Sequence, residues 1–270
     1  MSTDVARASH DWLTLREPAD SAARSADLVT ALLPMLPLAP LTIHDLGCGT
    51  GSMRRWLSPQ LPQQQHWIEH DRDVDLLARD PATTSSSTGQ PVSFETRESD
   101  ITRIAPSELS EASLLTASAL LDMFTEGELT RFVQGCFDTG RPSLLTLSVV
   151  GRVSFDPADD LDAVITQAFN DHQRRTTAHG TLLGPDAADA AIEQFTSLGA
   201  DVLVRLSPWQ LNEGCASLLT EWFDGWIGAA GEQQPELRDA SSEYAVRRLD
   251  EAAQGRLRVR VQHVDILVRP

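Results

Sequence analysis

The segment TIHDLGCGTGSMRRWL, residues 42–57, places Gly47, Gly49 and Gly51 between a short apolar run and an amphipathic stretch. The run LTIHDL predicts a strand, and SMRRWLSPQL (52–61) predicts a helix. Glycines at such a junction allow a sharp turn and leave room for another group beside the backbone. The sequence therefore predicts a strand, a glycine turn and a helix, with either a ligand or only close strand–helix packing at the turn.

Strands and helices alternate along the chain around this turn. This rhythm is typical of βαβ units and a mostly parallel sheet, so we expect a three-layer, doubly wound α/β fold. A polar loop is expected at 81–90. Strands are predicted over 41–46, 64–71, 92–100, 112–124 (running into a loop), 143–151, 200–207 and 256–270; helices are predicted over 11–36, 52–61, 73–80, 127–140, 186–198 and 208–234.

The regular alternation of predicted strands and helices ends after Gly151. No strand is predicted over 152–185, and the stretch 208–234 has a mostly helical pattern. We therefore expect one domain with helical lid or insert segments beside the site. Its parts are an N-terminal helical cap (1–40), a core that contains the glycine turn (41–150) and a remainder (151–270) with inserts at about 152–185 and 208–253 and the last two strands.

An acid precedes the glycines. The spacing Gly47-Cys48-Gly49-Thr50-Gly51 is one residue shorter than the G-x-G-x-x-G of dinucleotide-binding turns. A pyrophosphate prefers free backbone N–H groups, and the carboxylate of Asp45 would repel it. An acid at this place favours a ligand that carries a positive charge.

The segment DLGCGTG closely resembles the first motif of class I S-adenosylmethionine-dependent methyltransferases, and acids follow in the family's order. The resemblance covers about residues 40–150. It implies S-adenosylmethionine as cofactor, and a seven-stranded sheet whose last strand is reversed. It also implies that an acid after the second strand, Asp71, binds both ribose hydroxyls, and that Asp100 receives the adenine amino group with Ile101 against the ring.

Further cofactor contacts are implied at the fourth strand and in the N-terminal helix, where an arginine would pair with the cofactor's carboxylate. Several alternatives remain open from the residues alone. Glu69 can replace Asp71, which can instead be a helix N-cap; Asp100 can be a loop acid; and Arg16 can replace Arg24. The predicted cofactor residues are Asp45, Gly47, Cys48, Gly49, Gly51, Asp71, Arg72, Asp100, Ile101, Ser118 and Arg24.

The acceptor side is predicted from the segments that break the rhythm. His172, in NDHQRR, is a candidate general base because imidazole titrates near neutral pH, and Asp122 is the second catalytic candidate. Alternatively, His172 is an exposed helix residue with no catalytic role, and the tryptophans only pack in the core. The predicted substrate-binding residues are Asn170, Gln173, Trp209 and Trp222.

Composition narrows the class of partner. A formal net charge of −17 opposes nucleic acid on average, and no apolar run reaches the length of a membrane helix. Three scattered cysteines and the absence of an apolar leader favour a reducing cytoplasm and no metal site. We expect methyl transfer to an O or N atom of a small soluble molecule by a monomer or homodimer; the alternatives are a regulatory binding protein with the same fold and a nicotinamide-dependent oxidoreductase.

Overall fold

The computed structural model describes residues 8–78 and 84–270. The ends of two predicted segments, the helix at 73–80 and the loop at 81–90, therefore lie partly outside the described residues, as does the start of the cap. The strands are β1 (Leu41–Leu46), β2 (Gln65–Asp71), β3 (Ser93–Glu98), β4 (Leu114–Ser118), β5 (Ser143–Asp156), β6 (Thr176–Thr177), β7 (Gly180–Thr181), β8 (Asp201–Leu206), β9 (Trp209–Leu211) and β10 (Arg258–Arg269).

Helices cover both faces of the sheet that these strands form. They are α1 (His10–Ala23), α2 (Ala26–Leu32), α3 (Ser52–Leu57), α4 (Val74–Leu77), α5 (Glu126–Asp138), α6 (Asp162–Gln173), α7 (Ala187–Ser197), α8 (Ala216–Gln233) and α9 (Arg238–Ala253). None of the described helices is long and apolar enough to cross a membrane.

The main sheet has the strand order β3-β2-β1-β4-β5-β10-β8, and β10 runs antiparallel to both of its neighbours. The predicted mostly parallel sheet with a reversed last strand is thereby confirmed. The order reverses between β1 and β4, which is where open α/β sheets form a crevice at the carboxyl ends of their strands. This places the glycine turn at the floor of such a crevice.

Three features of the second half differ from the predictions. The fifth strand continues to Asp156, because its last four residues pair with Arg258–Val261 of β10. A two-stranded hairpin, β6–β7, lies in the segment predicted to lack strands. The stretch predicted as mostly helical starts with β9, which adds a short eighth strand to β10. The extension of β5 and strand β9 both pair with the distant β10, so local periodicity does not predict them. The β6–β7 hairpin is local, but its strands have two residues each, too few to show an alternating pattern.

Candidate functional site

The glycine turn after β1 requires glycine at its three positions. Gly47, Gly49 and Gly51 have φ of 75°, 56° and 78°, a region that other residues adopt only with strain. A Cβ at Gly47 would lie 3.1 Å from the side chain of Leu120, and one at Gly49 would lie 3.2 Å from that of Leu13. The backbone is therefore bare on the side that faces the crevice.

Asp71 ties the end of β2 to this turn. Its Oδ2 accepts the N–H of Gly49 at 2.8 Å, and its Oδ1 accepts the N–H of Asp73 at 2.9 Å. The N-cap of α4 is Asp73, so the alternative of Asp71 as a helix cap does not hold. Glu69 is buried in an ion pair with Arg54 at 2.9 Å, which removes it as the alternative ribose acid.

Asp45 lies at the end of β1 with its carboxylate buried. Its Oδ1 accepts the hydroxyl of Thr116 at 2.7 Å, whereas its Oδ2 has no hydrogen-bond partner among the described residues. Burial raises the pKa of Asp45 to about 7. A buried carboxylate oxygen without a donor is unfavourable, and a cationic or N–H-bearing ligand would remove this penalty.

A cavity of about 690 Å³ lies above the turn, within the size range of small-molecule sites. It collects side chains from the carboxyl ends of β1, β2 and β4 and from the loop after β3. Most of the sequence-predicted cofactor residues line it, together with one of the two catalytic candidates: Asp45, Gly47, Cys48, Gly49, Asp71, Arg72, Asp100, Ile101, Ser118 and Asp122.

Two predicted cofactor residues are absent from this lining. Gly51 is the N-cap of α3, behind the turn. Arg24 is buried, and its Nη2 donates to the hydroxyls of Ser52 and Ser118, each at 3.0 Å; burial lowers its pKa. Because both hydroxyls line the cavity, Arg24 acts through them, while Arg16 is the arginine of α1 that lines the cavity itself.

The loop after β3 supplies one wall. Asp100 is about half exposed, and its Oδ1 accepts the N–H and hydroxyl of Thr102 at 3.0 and 2.8 Å. Ile101 lies beside the turn, with its Cδ1 3.6 Å from where a Cβ of Gly47 would be. Together with Leu120 it provides an apolar cleft next to the bare backbone.

Another part of the lining comes from the segment after β4, from α5, from α1 and from the β6–β7 hairpin, and it carries acidic and aromatic side chains. Asp122 follows β4, and burial raises its pKa to about 6. Glu128 in the first turn of α5 and His179 at the tip of the β6–β7 hairpin also line the cavity, as do Trp12 and Phe124.

His172 lies elsewhere. Its Nε2 is 3.2 Å from Oε2 of Glu232 on α8, and it does not line the cavity. Asn170 donates to the carbonyl of Gly151 at 2.8 Å, and Gln173 packs against Gly184. The expectation that these residues form the polar acceptor wall is corrected, because the amphipathic α6 turns them toward α8 and β5. The insert reaches the cavity through His179 instead.

The two predicted tryptophans have different environments. Trp222 is buried in a cluster with Phe155 and Trp226, so the packing alternative describes it. Trp209 on β9 donates its indole N–H to Asp20 at 3.0 Å and lies edge-on to Trp12, with ring centroids 6.2 Å apart. Neither side chain lines the cavity, so their expected contact with substrate is also corrected; Trp209 instead supports α1.

Sequence reasoning left out Leu13, Asp20 and Glu128. The first two come from α1, whose docking onto the crevice depends on β9, and no local pattern reports that contact. The sequence around Glu128 does contain a recognisable motif, the T-x-x-E of a capping box, but the cap uses only one of the two carboxylate oxygens. Burial raises the pKa of the Cys48 thiol, which opposes a nucleophilic role. Among residues 8–78 and 84–270 no cluster of three metal-ligating side chains occurs.

No protein-family model and no curated protein matches the chain. Among solved structures it is similar to a mycolic acid cyclopropane synthase complexed with SAH and CTAB (13% identity, TM-score 0.48, 96% of this chain and 94% of that chain). It is also similar to the cyclopropane synthase MmaA2 from Mycobacterium tuberculosis (15%, 0.49, 96% and 94%) and to a SAM-dependent methyltransferase from Methanosarcina mazei (11%, 0.49, 91% and 97%).

Proposed function

We propose that the protein transfers a methyl group from S-adenosylmethionine to a small molecule. The observation that carries the proposal is the bare turn at Gly47 and Gly49, held by the carboxylate of Asp71 on the floor of the crevice. A nucleoside can lie against such a backbone while an acid beside it accepts the ribose hydroxyls.

The hydrogen-bond acceptors that the protein leaves unused in the site fit this cofactor. Each oxygen of Asp71 accepts one backbone N–H, and a carboxylate oxygen has a second lone pair for a ribose hydroxyl. The cleft of Ile101 and Leu120 suits the adenine ring, and Asp100 stands at its edge. At the other end, the unpaired Oδ2 of Asp45 suits the cofactor's ammonium group.

The amino-acid end of the cofactor also carries a carboxylate. The hydroxyls of Ser52 and Ser118 line the cavity and accept from the buried guanidinium of Arg24, so their own protons are directed away from it. They can donate to a carboxylate there. The same arrangement opposes a dinucleotide, since the charge of Asp45 would face a pyrophosphate.

When bound, the cofactor supplies an electrophilic methyl group on a sulfonium sulfur. The chain has to hold the acceptor in line with that methyl group and to exclude water. Helix α1 covers the cavity with Trp12, Leu13 and Arg16, while Asp122, Glu128 and His179 are side chains of its wall that can form a hydrogen bond with the acceptor. A cavity of this size suits a small acceptor. The free thiols of Cys48, Cys136 and Cys215 support a cytoplasmic location.

Calorimetry with S-adenosylmethionine, S-adenosylhomocysteine and NADH tests the cofactor. We expect the first two to bind in the micromolar range, about −8 kcal/mol, and NADH not to bind. Asp71→Ala should weaken both, whereas Glu98→Ala is the matched control, because Glu98 ends β3 in register with Asp71 and does not line the cavity. Binding of NADH alone would overturn the proposal. Binding of the cofactor with no methyl transfer to any metabolite would favour the regulatory alternative.

A further inference from the structure

Eight lining residues of the cavity come from α1, the segment after β4, α5 and the β6–β7 hairpin; we call them the acceptor half, and their carboxylates outnumber their arginines. They are Trp12, Arg16, Asp20, Met123, Asp122, Phe124, Glu128 and His179. The inference drawn from them rests on the proposed function, since it concerns the molecule that receives the methyl group.

Arg16 is the one arginine among these eight residues, and its guanidinium is already paired with a carboxylate of the protein. Its Nε and Nη2 donate to the two oxygens of Asp20 at 2.9 and 3.1 Å. Its guanidinium also lies 4.8 Å from the ring centroid of Trp209 and 5.9 Å from that of Trp12. A bidentate pair between two indoles is a fixed, neutral unit, so it offers little to an anionic acceptor.

Two carboxylates of the acceptor half form no ion pair among the described residues. No described side chain donates a hydrogen bond to Asp122; of the two cations near it, Arg16 is held by Asp20 and Arg175 does not line the cavity. Glu128 uses its Oε2 to cap α5 through the N–H and hydroxyl of Thr125, at 2.9 and 2.8 Å. Its Oε1 has no partner among the described residues.

An aromatic surface lies with these acids. Trp12 and Phe124 line the same half, and Phe124 is fixed by its contact with Phe132, at 5.3 Å between ring centroids. Carboxylates together with aromatic faces bind organic cations, because both present negative potential to an ammonium group while the rings also bury its carbon atoms. A neutral alcohol gains little from two uncompensated carboxylates, and a carboxylic acid or phosphate is repelled.

We propose that the methyl acceptor is a primary or secondary amine, which enters as its ammonium ion and is held by Asp122 and Glu128 against Trp12 and Phe124. The carboxylate of Asp122 accepts a proton from the ammonium ion. The freed lone pair on nitrogen forms a bond to the methyl carbon while the bond from that carbon to sulfur breaks, and its electron pair stays on sulfur. The products are the N-methylated ammonium ion, S-adenosylhomocysteine and one proton, which Asp122 releases to solvent.

Matched probes test the charge of the acceptor. Phenethylamine, 2-phenylethanol and phenylacetate are titrated into the complex with S-adenosylhomocysteine, and methyl transfer from labelled S-adenosylmethionine to each is followed. We expect binding and transfer with the amine alone, and weaker binding of the amine as salt is raised. Transfer to the alcohol or the acid, or no binding of the amine to the complex, would overturn the amine proposal while leaving the cofactor proposal intact.

Variants identify the groups that bind the amine. Asp122→Asn and Glu128→Gln, which keeps the helix cap, should each weaken amine binding by about 10- to 100-fold. Glu126→Gln is the control, because Glu126 lies in the same turn and does not line the cavity. If Asp122→Asn weakens S-adenosylmethionine but neither S-adenosylhomocysteine nor the amine, the acid serves the sulfonium charge and the proposal fails. If the unaltered protein does not bind S-adenosylhomocysteine at all, that result would instead contradict the proposed function.

Discussion

The indole N–H of Trp209 donates a hydrogen bond of 3.0 Å to Oδ1 of Asp20, a residue 189 positions earlier in the sequence. Both groups are buried, and the same carboxylate holds Arg16. Strand β9 thereby fixes the angle at which α1 covers the cavity.

Trp209→Phe should loosen α1 while the core stays folded. Removing one donor from a buried carboxylate costs about 1–3 kcal/mol. We expect faster amide hydrogen exchange in 10–23 and a weaker affinity for S-adenosylhomocysteine. Trp222→Phe is the control, since it removes a similar ring from the core and should lower stability without a selective change in α1. Equal exchange in the two variants would contradict a supporting role for Trp209.

Asp71→Ala should weaken cofactor binding by about 2–4 kcal/mol, because two charge-assisted hydrogen bonds are lost together. Asp71→Asn should lie between, since its amide can still accept one hydroxyl. Calorimetry measures both. An unchanged affinity in Asp71→Ala would place the ribose elsewhere.

Asp45 should make the protein without cofactor less stable as pH rises. Its pKa is raised from 3.8 to about 7 by burial, so between these values the folded state keeps a proton that the unfolded state has lost. Stability therefore falls as pH rises through this window and stays lower above it. Asp45→Asn should unfold at higher denaturant than the unaltered protein at pH 8, by about 1–4 kcal/mol, and differ little at pH 3.5. The variant should also bind the cofactor more weakly. A stability of the unaltered protein that rises with pH over this window would show instead that the charged carboxylate is stabilised in the folded protein.

Asp122 should set the acidic limb of activity. Its carboxylate form accepts the proton, and burial raises its pKa to about 6, so kcat/KM should rise as pH increases through about 6. The profile of Asp122→Asn should lack this limb, whereas that of Glu126→Gln should keep it. A limb that persists in Asp122→Asn would assign it to another group, with His179 next to be tested.

His172→Ala should leave turnover and cofactor affinity close to those of the unaltered protein. The imidazole pairs with the exposed Glu232 and does not line the cavity, so only a small loss of stability, below about 1 kcal/mol, is expected. A fall in turnover of 10²-fold or more, as expected of a general base, would return His172 to the mechanism.

The sequence predicts those parts of the molecule that are encoded locally. Strand–helix alternation and the glycines after β1 place the crevice, and the acids at strand ends point to its floor, because parallel strands end at one edge. The acceptor side depends on contacts between distant segments. Trp209 reaches α1, the β6–β7 hairpin carries His179 to the cavity, and α6 turns His172 away; apolar periodicity is the same for either orientation of that helix.

Asp265 in the last strand has a consequence for the order in which the chain folds. Its Oδ2 accepts the N–H of Ser25, the N-cap of α2, and its Oδ1 accepts that of Leu147, a strand residue at φ 57°. The start of α2 and the fifth strand are thus both held by a carboxylate 240 positions downstream of Ser25. The hydrogen bonds that Asp265 accepts at the start of α2 and in β5 can therefore form only once β10 has joined the sheet, so local pairing of the earlier segments does not complete them.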